Sequence, residues 1–295
     1  MAPALQPAIE LRLEQTLSQY RQWQTELPLP VQPRMVRELG GGLSNWSFLV
    51  EAGDHYVVRL DGPSGELHQL HRPTEWRLLK LAADIGIAPQ PRYFNPEIGA
   101  LVTDFLEATT VTGFDSEGTA QLLQRIHSLP PVHTRLDLDK RLQRYLQALR
   151  RQQVQLPREM AQYESRLADV LAELESLQTG FVLCHNDPLR ANRILCADRW
   201  MALDWEYSAM GNPWFDLAAV CWEEELFEHK REAFAEHYLC RATEQSELRQ
   251  LAGMVAIYGF LECAWHLAVT STVQASKLDA LVQAFQRIDT AHTRG

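Results

Sequence analysis

The first third of the chain is built from short runs rich in β-branched and aromatic residues. Ser47 to Glu51 and His55 to Leu60 read as two strands joined by the turn Ala52-Gly53-Asp54. Residues 36–39 lead into a further turn at Gly40-Gly41-Gly42, so the group describes a glycine-capped hairpin. The period then changes. Pro73 stands at a helix start, Trp76, Leu79 and Ala83 recur at helical spacing, and Gly86 ends the run. Arg92 to Phe94 and Ala100 to Phe105 are the next strands, with Asn95-Pro96-Glu97 between them.

From Asp115 onward the period is helical. Leu122, Leu123, Ile126 and Leu129 form one apolar face, and Leu138, Leu142, Tyr145 and Leu149 a second. Met160, Tyr163, Leu167, Leu171 and Leu174 form a third after the break at Pro157. Such leucine stripes are core surfaces. Two β-like runs, Phe181 to Cys184 and Trp200 to Leu203, interrupt the helices. The expected fold is therefore α+β. Residues 1–107 form a small antiparallel sheet with one helix, and residues 108–295 form a larger, mostly helical part.

Composition narrows the function classes. The 295 residues are 46% hydrophobic, enough for an ample core. A formal net charge of −10 argues against a nucleic-acid partner, which would require a basic surface. The five cysteines contain no Cys-x-x-Cys pair, so neither a disulfide framework nor a cysteine zinc site is indicated. Met1 to Leu17 is interrupted by Glu10, Arg12 and Glu14 and lacks the apolar core of a signal peptide. Leu251 to Val269 is apolar apart from Glu262, His266 and small residues; burying those two groups in lipid is costly, and a core helix fits better. The expectation is a cytoplasmic protein with no membrane partner.

The richest chemistry lies in Leu183-Cys184-His185-Asn186-Asp187-Pro188-Leu189-Arg190-Ala191-Asn192, followed by Leu203-Asp204-Trp205-Glu206-Tyr207. An apolar strand ends in His-x-Asp, an Asn follows five residues after that Asp, and a second strand delivers another Asp. Phosphoryl transfer needs such a set. A carboxylate must orient a hydroxyl nucleophile and accept its proton, and Mg²⁺ needs hard oxygen ligands against the phosphates. Asp187 suits the first task, Asn192 and Asp204 the second.

His185-x-Asp187 with Asn192 and Asp204-Trp205-Glu206 resembles the signature of the aminoglycoside phosphotransferase and choline kinase superfamily, which shares the two-lobed protein-kinase fold. The similarity extends from Gly40 to about residue 285. Leu122 to Pro130, with His127, resembles the helix before the catalytic loop. Gly211-x-Pro213-x-x-Asp216 resembles the segment after the metal-binding Asp; there Asp216, with His185, would support the loop, while the local reading makes Asp216 a helix cap.

The resemblance implies that ATP binds in the first lobe. Gly41, Gly42, Ser44 and Asn45 would fold over its phosphates, and Arg59 would contact them where protein kinases carry Lys. Arg at this position is similar to the choline and thiamine kinase branch. Glu75 would pair with Arg59, and the hinge near Phe105 would hold the base.

The acceptor implied is a small alcohol of choline or thiamine type, carrying a fixed positive charge. Glu206, Tyr207, Trp222 and Trp265 are candidates for its pocket, with Glu223 beside them. Phe260 to Trp265 resembles the late helix of choline kinases, where two tryptophans line the cation site; here Glu262 replaces one of them. Two alternatives stay open: an aminoglycoside-type phosphotransferase, favoured by the acidic run Glu223-Glu224-Glu225, and a catalytically idle binding protein.

Overall fold

The computed structural model describes residues 6–40, 45–62, 70–178 and 180–292. It divides into two compact units, Met1–Thr110 with Ile194–Glu206, and Val111–Arg193 with Tyr207–Gly295. The sequence placed one boundary near residue 107 and did not indicate the return of residues 194–206 to the first unit.

The first unit is an antiparallel sheet of five strands in the order β1-β2-β3-β5-β4. The strands are β1 (Arg34–Leu39), β2 (Asn45–Ala52), β3 (Asp54–Asp61), β4 (Pro91–Asn95) and β5 (Ala100–Asp104). Gly53, at φ +90°, makes the tight β2–β3 turn that the sequence places there. Phe48, Val50, Val58, Leu60 and Val102 are fully buried and form the core. A helix that the sequence reading did not assign, Pro7–Ser18, adds Ile9, Leu13 and Leu17 to that core. Its Arg12 donates to the carbonyls of Ile98 at 2.8 Å and Asp61 at 2.8 Å. Gly99 lies beneath that guanidinium at φ +57°, where a Cβ would come within 2.7 Å of Arg12 Nη2 and 2.9 Å of Asp61, so glycine is required.

The helix expected after Pro73 spans Arg72–Asp84, with Glu75, Leu78, Leu79, Ala82 and Ala83 buried. Residues 194–206 join this unit through short bonds. Strand β7 (Arg193–Cys196) pairs with β8 (Arg199–Ala202), Thr109 N–H donates to Leu195 O at 2.7 Å, and Ala202 N–H to Ile87 O at 2.8 Å.

The second unit is helical around a two-stranded ladder of β6 (Val182–Cys184) and β9 (Ala209–Gly211). The third apolar face is divided between a helical turn at Arg158–Ala161 and the helix Leu167–Ser176, although Met160, Tyr163, Leu167 and Leu174 are all buried. The helix Gln245–Thr270 is long and apolar enough to cross a bilayer, yet 67% of its most apolar window is buried inside the protein, as a core helix requires. It packs against the helices Pro213–Glu223 and Ala275–His292. At Gly259 an added Cβ would lie 2.3 Å from the Trp222 ring, so the glycine allows that close approach.

Candidate active site

In the second unit, β6 ends at Cys184 and releases the chain into His185-Asn186-Asp187. Asp216, fully buried in the first turn of the helix Pro213–Glu223, fixes that exit. Its Oδ2 accepts from His185 N–H at 2.7 Å and its Oδ1 from Asn186 N–H at 2.7 Å. His127 Nε2 lies 3.1 Å from the same Oδ2, and His127 Nδ1 is 2.8 Å from the Tyr238 hydroxyl. Asn212, not Asp216, caps the helix, accepting from Trp214 N–H. The tertiary fold thus gives Asp216 the loop-bracing geometry and corrects the local cap reading.

Asn186 holds a left-handed backbone (φ +63°) and donates its amide to the carbonyl of Tyr207 at 2.9 Å. Beyond this kink, Asp187 Oδ2 accepts from Asn192 Nδ2 at 2.8 Å. That bond orients the carboxylate and uses the amide nitrogen of Asn192, leaving its oxygen, a hard donor, for other work.

A second clamp was not legible in the sequence. Arg193 is buried and donates from Nε to the carbonyl of Pro188 at 2.9 Å, from Nη1 to Thr119 Oγ1 at 3.0 Å and from Nη2 to Glu224 Oε1 at 2.5 Å. Arg190 shares Glu224. Burial works against the Glu224 anion, but the two guanidiniums outweigh it and hold its carboxyl below the usual range. Glu224, counted in the acidic run for a polycationic acceptor, is therefore spent on the loop.

The first unit carries a separate charge network. Arg59, on β3, places Nη2 2.6 Å from Glu75 Oε1 and Nη1 2.5 Å from Asp204 Oδ1. Arg72 meets Glu75 at 2.8 Å, Glu206 at 2.7 Å and Asp61 at 2.6 Å. Asn45 Nδ2 donates to Glu206 Oε2 at 3.0 Å. Four carboxylates, Asp61, Glu75, Asp204 and Glu206, thus face two guanidiniums. Burial and the neighbouring Glu206 charge push the Asp204 carboxyl up, against the pull of Arg59. Burial opposes the Arg59 cation, but Glu75, Asp204 and Glu206 hold its guanidinium firmly charged. Glu206 Oε1 is buried without a hydrogen-bond partner. An excess of buried negative charge on hard oxygens is the donor chemistry that a divalent cation such as Mg²⁺ fits.

Gly41, Gly42 and Ser44 lie outside the described residues. Phe105 follows β5, donating its N–H to His55 O at 3.1 Å with its ring edge-on to His55. Glu206, expected at the acceptor, is buried in the first unit with Arg72 and Asn45, whereas Tyr207, Trp222 and Trp265 belong to the second. Tyr207 has the Arg141 guanidinium 5.9 Å from its ring centre. Trp222 is buried and donates its indole N–H to Glu262. Trp265 is half-buried with its ring edge-on to His266 at 4.8 Å. Arg72 was missed, although its place one turn before Glu75 was visible.

Residues 35–252 match the model of the phosphotransferase enzyme family. Protein LicA of Haemophilus influenzae is 24% identical over 214 residues, which cover 70% of this chain and 62% of LicA. Thiamine kinase of Escherichia coli is 29% identical over 202 residues, covering 66% of this chain and 69% of that enzyme. The crystal structure of choline kinase LicA from Streptococcus pneumoniae superposes with a TM-score of 0.71 at 20% identity, over 97% of this chain and 99% of that one. The chain belongs to the phosphotransferase enzyme family.

Proposed function

We propose that the protein transfers the terminal phosphoryl group of ATP to the hydroxyl of a small cationic alcohol of choline or thiamine type. The observation that carries this reading is Asp187, oriented by Asn192 at 2.8 Å in a loop whose backbone Asp216 holds by two short bonds. A carboxylate so placed can align an acceptor hydroxyl and take its proton while the new O–P bond forms and the bridging bond to the β-phosphate breaks. Asn192 keeps it in that orientation.

Arg59 is the residue for the phosphate oxygens of ATP, and Glu75 sets its direction. Asn192 and Asp204 would hold Mg²⁺, which when bound neutralises charge on the phosphate oxygens. The preference for a cationic alcohol draws support from the relatives named choline and thiamine kinases and from the aromatic and acidic residues Trp222, Glu223 and Glu262.

The test is ATP-dependent transfer to choline, ethanolamine, thiamine, kanamycin and a neutral isostere of choline with carbon in place of the quaternary nitrogen. Transfer to choline or thiamine well above transfer to the isostere supports the reading. Transfer to kanamycin alone, or equal use of the isostere, replaces it, and failure of the whole panel rejects it.

A further inference from the structure

The acidic and aromatic cluster of the second unit already contains a cation of the protein's own. Trp222 and Glu223 end one helix, Glu262 and His266 lie one turn apart on a second, and Lys277 stands in the first turn of a third. Lys277 Nζ lies 3.8 Å from Glu262 Oε1, 3.9 Å from Glu223 Oε2 and 5.4 Å from the centre of the Trp222 ring. The Trp222 indole N–H binds the other oxygen of Glu262 and so fixes that carboxylate. His266 Nε2 lies 3.9 Å from the same Oε1 that faces Lys277. Burial and the Lys277 charge push the imidazole below its usual range, against the pull of Glu223.

Two carboxylates beside an indole face are the surroundings that select an alkylammonium. The contacts are loose, since charge-assisted N–H···O bonds normally close to about 2.7–2.9 Å. A lysine in the first turn of a helix also opposes the helix dipole, so local structure gives it no reason to be there. The attraction that places Lys277 comes from Glu223, Glu262 and Trp222. The side chain keeps 20% of its surface exposed, which leaves its flexible stem a way out to water.

We infer that Lys277 is a specificity-determining residue: its ammonium occupies the seat of the acceptor's positive charge, and a cationic acceptor binds by displacing it. This rests on the cationic-alcohol reading above but is tested without turnover. The occupied seat weakens every ligand that must enter it by the free energy of the lysine contacts, and only a cation regains the carboxylates and the indole face in exchange. It also keeps Glu223 and Glu262 compensated while no acceptor is bound.

The probe is tetramethylammonium, which has the charge and no hydroxyl, followed by tryptophan fluorescence on the full chain. Lys277→Met should tighten its binding roughly two- to thirtyfold, the range of a cation–aromatic contact, whereas Lys277→Arg should bind it as weakly as wild type. Wild-type protein offers a second measurement that needs no variant to fold. Acetylation of Lys277 by acetic anhydride, read by mass spectrometry, should accelerate when tetramethylammonium is added. Unchanged or weaker binding in a folded Lys277→Met protein, or acetylation of Lys277 that the probe leaves unchanged or slows, overturns the inference. Failure of the alcohol panel together with tighter tetramethylammonium binding in Lys277→Met would reject the transfer reading and keep the displaceable lysine.

Discussion

The guanidinium of Arg193 and the carboxylate of Glu224 meet at 2.5 Å with both side chains only 3% exposed, and the same guanidinium holds the carbonyl of Pro188, next to Asp187. Breaking a buried pair by removing one partner leaves the other charge without compensation, at a cost of about 3–5 kcal/mol. Arg193→Met should therefore lower the urea-unfolding free energy by that order. A loss below about 1 kcal/mol would mean that Arg190 alone satisfies Glu224.

Asp187→Ala should abolish transfer and spare nucleotide binding, because Asp187 faces the acceptor in the proposed reaction. Removing a positioned proton acceptor costs on the order of a hundredfold or more in rate. Turnover close to wild type in a folded Asp187→Ala protein, with ATP affinity measured alongside, would refute the assignment.

Asp204→Ala should raise the Mg²⁺ concentration needed for half-maximal activity more than Asn192→Ala does, since a carboxylate contributes charge that an amide lacks. Asp204→Ala also removes a partner of Arg59, so ATP binding is to be measured in parallel. An unchanged metal requirement for Asp204→Ala would exclude it as a ligand.

Trp265→Leu keeps most of the apolar bulk and removes the ring face. It should raise KM for the cationic alcohol by up to about thirtyfold and leave KM for ATP unchanged. A lower melting temperature with both KM values intact would assign Trp265 to packing against His266.

Burial pushes the Glu262 carboxyl up; Lys277 and the Trp222 N–H pull it part of the way back, and Glu223 adds to the rise. A carboxylate raised in the folded state contributes its full stability below its unfolded pKa and loses it as pH rises through the folded one. Wild-type melting temperature should thus fall relative to Glu262→Gln as pH rises above the ordinary carboxylate range, about pH 4. A difference that is flat with pH, or that grows in favour of wild type, would show that Lys277 and Trp222 outweigh burial.

Much of this protein is written locally. Strand-forming runs interrupted by Gly53, and helical stripes such as Leu122, Leu123 and Ile126, mark elements because a period of two or of 3.6 needs only neighbours along the chain. Asp187 and Asn192 were legible for the same reason: five residues of loop bring their side chains together. The partners of charged groups were not. The pairing of Glu206 with Arg72, 134 positions away, and of Glu224 with Arg193, 31 positions away, has no signal in local spacing. The seat of Lys277 among Glu223, Glu262 and Trp222 required three helices to pack. Periodicity tells which face of an element is buried, but buried charges pair with whatever the packing of distant elements brings within a few ångströms, and only the tertiary structure decides that.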